Sequence, residues 1–98
     1  MQIEKPFSQA CENSKRAILS VLERKLANCR QVLEIGSGTG QHAVFLAGHL
    51  HHLIWHTSDQ PHYHEGIAAW LNDSNTGNVK PPIAFTVGQD DFPNLDID

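Results

Sequence analysis

Glu34, Gly36, Gly38, Gly40 and Asp59 are the residues of this chain whose types and spacing could do chemistry, and that chemistry is the holding of a ligand on bare main chain. Without a Cβ, glycine takes positive φ at little cost and lets a bound group lie directly on the backbone. The run Val32-Leu33-Glu34-Ile35 leads into the glycines, and a helical apolar period resumes behind them at Ala43, Val44, Leu46 and Ala47. The glycines therefore mark a turn from a strand into a helix, whose first N–H groups point at whatever occupies the turn. A second strand-like run ends in Asp59, nineteen residues after Gly40. Each residue also has an ordinary reading: Glu34 as a solvated acid at a strand end, Asp59 as a turn former before Pro61, and Gln41 and His42 as polar residues in a first helical turn. Three alternating glycines exceed what a plain turn needs, so the loop reads as a ligand seat.

Spacing separates the candidate cofactors. The dinucleotide pattern G-x-G-x-x-G requires a third glycine five residues after the first, and counted from Gly36 that position is Gln41. A nicotinamide-dependent oxidoreductase is thereby disfavoured, though kept as an alternative. What stands instead is E-x-G-x-G-x-G, which resembles motif I of the class I S-adenosyl-L-methionine (SAM)-dependent methyltransferases. That resemblance implies that Gly36 and Gly38 pass beneath the methionine and ribose parts of SAM, that Glu34 helps to orient the methionine end, and that Asp59 accepts hydrogen bonds from the ribose hydroxyls. Ser37, Gly40, Gln41 and His42 complete the candidate cofactor-binding set.

Five further segments narrow the resemblance: Pro6-Phe7-Ser8, Glu12-Asn13-Ser14-Lys15, Gly38-Thr39-Gly40-Gln41-His42-Ala43, Trp55-His56-Thr57-Ser58-Asp59 and Asn78-Val79-Lys80-Pro81-Pro82. In that order they resemble a little-characterised methyltransferase-like family that includes methyltransferase-like protein 26 and many bacterial members. The likeness runs over nearly the whole chain. It departs where that family tends to carry an Asp near the end of the third strand: this chain has Thr86, with Asp90 and Asp91 as candidate substitutes for the acid on the adenine side.

The elements that must position these residues follow from apolar periodicity. Ile18, Val21, Leu22 and Leu26 share one face of a helix predicted over about Ser14 to Asn28. A first strand is expected over Gln31 to Ile35, a helix over Thr39 to His49, a second strand over Leu53 to Thr57 and a helix through Ile67, Ala68, Trp70 and Leu71. The cluster from Asn72 to Asn78 breaks that helix, and Ile83 to Val87 reads as a third strand, with Pro81 and Pro82 tolerable only at its start. Trp55 and Trp70 fall on apolar periods and read as core. Right-handed crossovers then give a partial Rossmann-like three-layer α/β/α fold with strand order 3-2-1 and a preceding helix.

With 98 residues, 40% hydrophobic and 18% charged, the chain is bounded to one small folded domain. Leu95-Asp96-Ile97-Asp98 reads as the start of a fourth strand, so residues 1–98 are expected to be the N-terminal half of a longer SAM-binding domain, inactive alone. One edge of the first strand would then be bare, and self-association through it is expected. A net charge of −4 gives no general attraction to nucleic acid or anionic lipid, and no apolar run approaches a membrane span, so the expected address is the cytoplasm. Cys11 and Cys29 bracket the first helix, about 27 Å apart at helical rise, and read as free thiols. Of the seven histidines, His49, His51, His52, His62 and His64 lack the shared-face spacing of metal ligands and read as solvated loop residues. The expected activity is methyl transfer from SAM, with neither the acceptor nor a catalytic residue legible; the alternative of another kind is a non-catalytic SAM- or nucleotide-binding or self-associating remnant.

Overall fold

In the computed structural model the structure describes residues 6–74 and 76–90. The chain opens with helix α1 (Gln9–Lys25), followed by strand β1 (Gln31–Leu33), helix α2 (Gln41–His49), strand β2 (Ile54–Asp59), a short 3₁₀ turn (Pro61–Tyr63), helix α3 (His64–Asn72) and strand β3 (Val79–Ala84). The strands form one parallel sheet in the order β1-β2-β3, the order that the sequence predicts. Right-handed crossovers bring α2 and α3 to the same face of that sheet.

Helix α1 starts five residues before the periodic stretch because Ser8 caps it. The Ser8 Oγ accepts from the Cys11 N–H at 3.3 Å, while Glu12 in the first turn and Arg24 and Lys25 in the last complement the helix dipole. Its buried face is centred on Leu19, flanked by Ile18, Leu22 and Leu26. Val21, expected on that face, is two residues and hence about 200° of helical rotation from Leu19, and is 44% exposed. The core continues through Ala43, Leu46, Ala47 and Leu50 of α2 and its C-terminal end to Leu53 and Trp55. Fully burying an aliphatic side chain of this kind contributes about 1.5–3 kcal/mol. Trp55 is buried as predicted, and Trp70 is half-buried with its indole N–H donating to the Pro6 carbonyl.

The first strand is shorter than predicted. After the Glu34 N–H donates to the His56 carbonyl at 2.9 Å, two serines replace the ladder: Ser58 Oγ donates to the Glu34 carbonyl at 2.6 Å, and Ser37 Oγ accepts from the Ser58 N–H at 3.0 Å. The third strand differs more. It runs over Val79–Ala84 in place of Ile83 to Val87, and Pro81 and Pro82 lie inside it. A register shift accommodates them: His56 pairs with Lys80 and Ser58 with Ile83, so β3 advances three residues while β2 advances two. Thr57 Oγ1 donates to the Lys80 carbonyl at 2.9 Å inside that shift, so the carbonyl before the two prolines keeps a donor from β2.

At the opposite end of the sheet, Asn78 ties the core together. Its Nδ2 donates to the carbonyls of Ala47 at 3.0 Å, Leu50 at 3.4 Å and Leu53 at 2.8 Å. Among the described residues no helix is long and apolar enough to cross a membrane. Cys11 and Cys29 are both free and half-buried. The fourth-strand segment, Leu95-Asp96-Ile97-Asp98, lies outside the described residues.

Candidate functional site

The site lies where β1 and β2 end, on the turn that joins β1 to α2. Gly36, Gly38 and Gly40 have φ of +73°, +59° and +92°, all in the left-handed region that favours glycine. Their surroundings differ. A Cβ at Gly36 or Gly38 would meet nothing within 4 Å, whereas at Gly40 it would come within 3.2 Å of Ile67 Cα and 3.3 Å of Trp70 Cβ. The first two glycines thus leave bare main chain beside open space, and the third lets α2 begin against α3.

Asp59 is brought to the loop by β2. Its Oδ2 accepts from the Gly38 N–H at 2.8 Å and its Oδ1 from the Gln60 N–H at 2.7 Å. Each oxygen therefore keeps a lone pair for a further donor. Glu34 sits at the end of β1, with Oε1 accepting from Trp55 Nε1 at 3.3 Å. Burial pushes its carboxyl above the ordinary value, against hydrogen bonds from Ser37 and Trp55 that favour the charged form. Ser37 is buried beneath the loop, its N–H donating to the Ser58 carbonyl at 2.7 Å.

Gln41 and His42 face away from the open side of the loop. Gln41 is 3% exposed, and its side-chain amide is taken up by Ser8, Thr39 and Glu12. His42 Nε2 lies 3.3 Å from the Cys11 carbonyl and 3.5 Å from Ser14 Oγ. Both residues join the loop to α1. On the β3 side, Thr86 donates its N–H to Asp90 Oδ2 at 2.8 Å, which turns that carboxylate back onto the Thr86 backbone; Asp91 lies outside the described residues.

Beside Gly38 and Thr39 opens a cleft of about 380 Å³, walled by Pro6, His62, Tyr63, Glu65 and Gly66. None of these wall residues is a candidate in the sequence reading. The signal available was position: the run from Pro61 to Gly66 directly follows Asp59, so it must begin at the site end of the sheet. His64, from the same run, donates from Nε2 to the Asp59 carbonyl at 2.8 Å and so supports the strand end. Among the described residues no group of three His, Cys, Asp or Glu side chains is placed to hold a metal.

The arrangement suits a ligand with hydroxyls and positive charge better than one with phosphates. The Gly38 N–H, which a pyrophosphate would use, already meets the Asp59 carboxylate, and Glu34 and Glu65 add acidic character.

The fold is similar to that of a solved apo-form S-adenosylmethionine-dependent methyltransferase, SibL, with a TM-score of 0.76 and 21% sequence identity. The match covers 85% of this chain and 24% of that one, so the chain spans about a quarter of the length of the structure that it resembles. The partial Rossmann-like α/β fold is thereby shown. Residues 5–97 match the family described as "Protein of unknown function (DUF938)", and the chain belongs to that family.

Proposed function

We propose that this chain carries the SAM-binding side of a class I methyltransferase of the kind that includes methyltransferase-like protein 26, and that its acceptor pocket is completed by elements other than those described. The observation that carries this reading is the Asp59 carboxylate seated on the Gly38 N–H beside two glycines whose Cβ directions are open. Gly36 and Gly38 offer main chain for the ligand to lie on. Asp59 holds the shape of the loop and offers its remaining lone pairs to ribose hydroxyls. Glu34, at the neighbouring strand end, favours the cationic methionine end through a carboxylate that ligand charge would help to keep ionised. Ser37, Gly40, Gln41 and His42 build the loop from below and behind. When bound, SAM supplies an electrophilic methyl group on a sulfonium, so the protein's part is to orient it and exclude water.

The test is calorimetric titration of S-adenosylhomocysteine into the purified chain and into Gly38→Val. The expected result is saturable binding by the wild type that is lost in the variant, because valine fills the open side of the loop at a φ that it resists. Absence of binding by a folded wild-type chain would overturn the proposal and favour a self-associating remnant. We also propose that the chain pairs with a second copy through β1, an edge of the described sheet, beside which Ile35 is 39% exposed. A monomer across the full concentration range in sedimentation would contradict it.

A further inference from the structure

The Gly-Gln-His tail of the loop and the Pro-Phe-Ser and Glu-Asn-Ser-Lys segments near the N-terminus are far apart in sequence, yet the structure makes them one object. Gln41 joins them. Its Oε1 accepts from the Ser8 N–H and, at 3.0 Å, from Thr39 Oγ1; its Nε2 donates to the Ser8 carbonyl at 3.3 Å and to Glu12 Oε2 at 2.9 Å. Lys15 holds the other Glu12 oxygen at 2.8 Å. A buried amide that answers both the N–H and the carbonyl of one residue fixes that residue's backbone as a strand partner would.

Two residues before Ser8, a second set of contacts holds Pro6. Its carbonyl accepts from Trp70 Nε1, and its ring lies so close to α3 that a Cβ on Gly66 would come within 2.7 Å of Pro6 Cγ. Pro6 is also a wall of the cleft that opens beside Gly38 and Thr39. Residues 6–8 thus form a strap across one side of the site, pinned at Ser8 by Gln41 and at Pro6 by Trp70.

We infer that Gln41 is a positioning residue for ligand binding: it touches no ligand, but holds the strap so that Pro6 walls the cleft beside the glycine loop. This inference rests on the SAM-binding reading above. Release of the strap removes one wall and leaves part of the ligand in water, so affinity falls although every loop residue remains.

Two variants of the full chain test this, each read by thermal melting, by hydrogen exchange at the Ser8 amide and by titration with S-adenosylhomocysteine. Gln41→Leu keeps the side-chain bulk and removes the amide; Ser8 exchange accelerates and affinity falls about tenfold, the loss expected for one or two hydrogen bonds that organise the site. Gly66→Ala leaves Gln41 untouched and pushes Pro6 off α3. Alanine favours the helix and the displaced Pro6 loses its contact with α3, two opposed effects of similar size, so the melting temperature changes little while affinity falls, a pairing that a merely structural role would not produce. Wild-type affinity in Gly66→Ala, or in Gln41→Leu with Ser8 exchanging freely, overturns the inference while leaving the SAM-binding reading intact. Unchanged Ser8 exchange in Gln41→Leu overturns it as well. A wild-type chain that fails to bind the ligand instead sinks the SAM-binding reading, and the ligand role of the strap with it.

Discussion

Gly36 and Gly38 border open space, whereas Gly40, two residues further on, lies so close to α3 that a methyl group would have to displace its neighbours. All three share positive φ, so backbone conformation alone does not distinguish them. Their neighbours do. Before Thr39 the loop leaves main chain beside open space, next to the strand-end carboxylates of Glu34 and Asp59; after it, Gly40, Gln41 and His42 turn inward to α3 and α1. The comparison shows that a glycine motif can combine a ligand-facing half with a structural half, and that substitutions should divide the same way.

The largest effect is expected at Gly40. Gly40→Ala forces a side chain into φ +92° and into contact with the Ile67 backbone, which together should cost about 3 kcal/mol in chemical denaturation. Gly38→Ala should lose less stability, since only the φ penalty applies, at about 1 kcal/mol. Equal losses at the two positions would erase the distinction between the halves.

Asp59→Asn comes next. The carboxylate accepts from two backbone N–H groups, and an amide can accept from only one while turning its own N–H₂ toward the other. A loss of about 2 kcal/mol, with faster exchange at the Gly38 amide, is the expected outcome. Unchanged exchange at Gly38 would show that Asp59 does not shape the ligand-facing half.

The smallest effect has the opposite sign. Burial raises the Glu34 carboxyl above its usual value, so the folded state binds that proton more tightly than the unfolded chain. The stability that this proton confers is complete below the unfolded pKa and is lost as pH rises through the folded pKa. Glu34→Gln keeps an acceptor for Trp55 Nε1 and has no charge to desolvate. It should therefore melt a few degrees higher than the wild type at neutral pH, and its stability should fall less as pH rises above the ordinary carboxyl value of 4.5. A variant less stable than the wild type at neutral pH would contradict this.

The elements legible in the sequence were those with a local signal. Apolar periods located α1, α2, α3 and β2, and the handedness of crossovers ordered the strands. β3 was misplaced because its two prolines are accommodated by a register shift against β2, which depends on a partner strand and leaves no local mark. The start of α1 was missed because its cap, Ser8, stands before the apolar period. Gln41 reads from sequence as a candidate cofactor-binding residue or an ordinary first-turn one, and its tie to Ser8, 33 positions away, leaves no local mark. Asn78 looked like one more loop residue, although its amide reaches three carbonyls of the core. That Glu34, the three glycines and Asp59 lie together at the strand ends was legible because each follows an apolar strand-like run at a readable spacing. The cleft walls were not, because they come from segments that only the fold brings together.

The most direct test of the central claim is amide chemical-shift mapping of S-adenosylhomocysteine on the isotopically labelled chain. The largest saturable changes are expected on Gly36, Ser37, Gly38 and Gln60, with those at Gly48 and Gly77 near zero. Saturable changes centred on the opposite end of the sheet, around Leu53 and Asn78, or no changes in a folded chain, would contradict it.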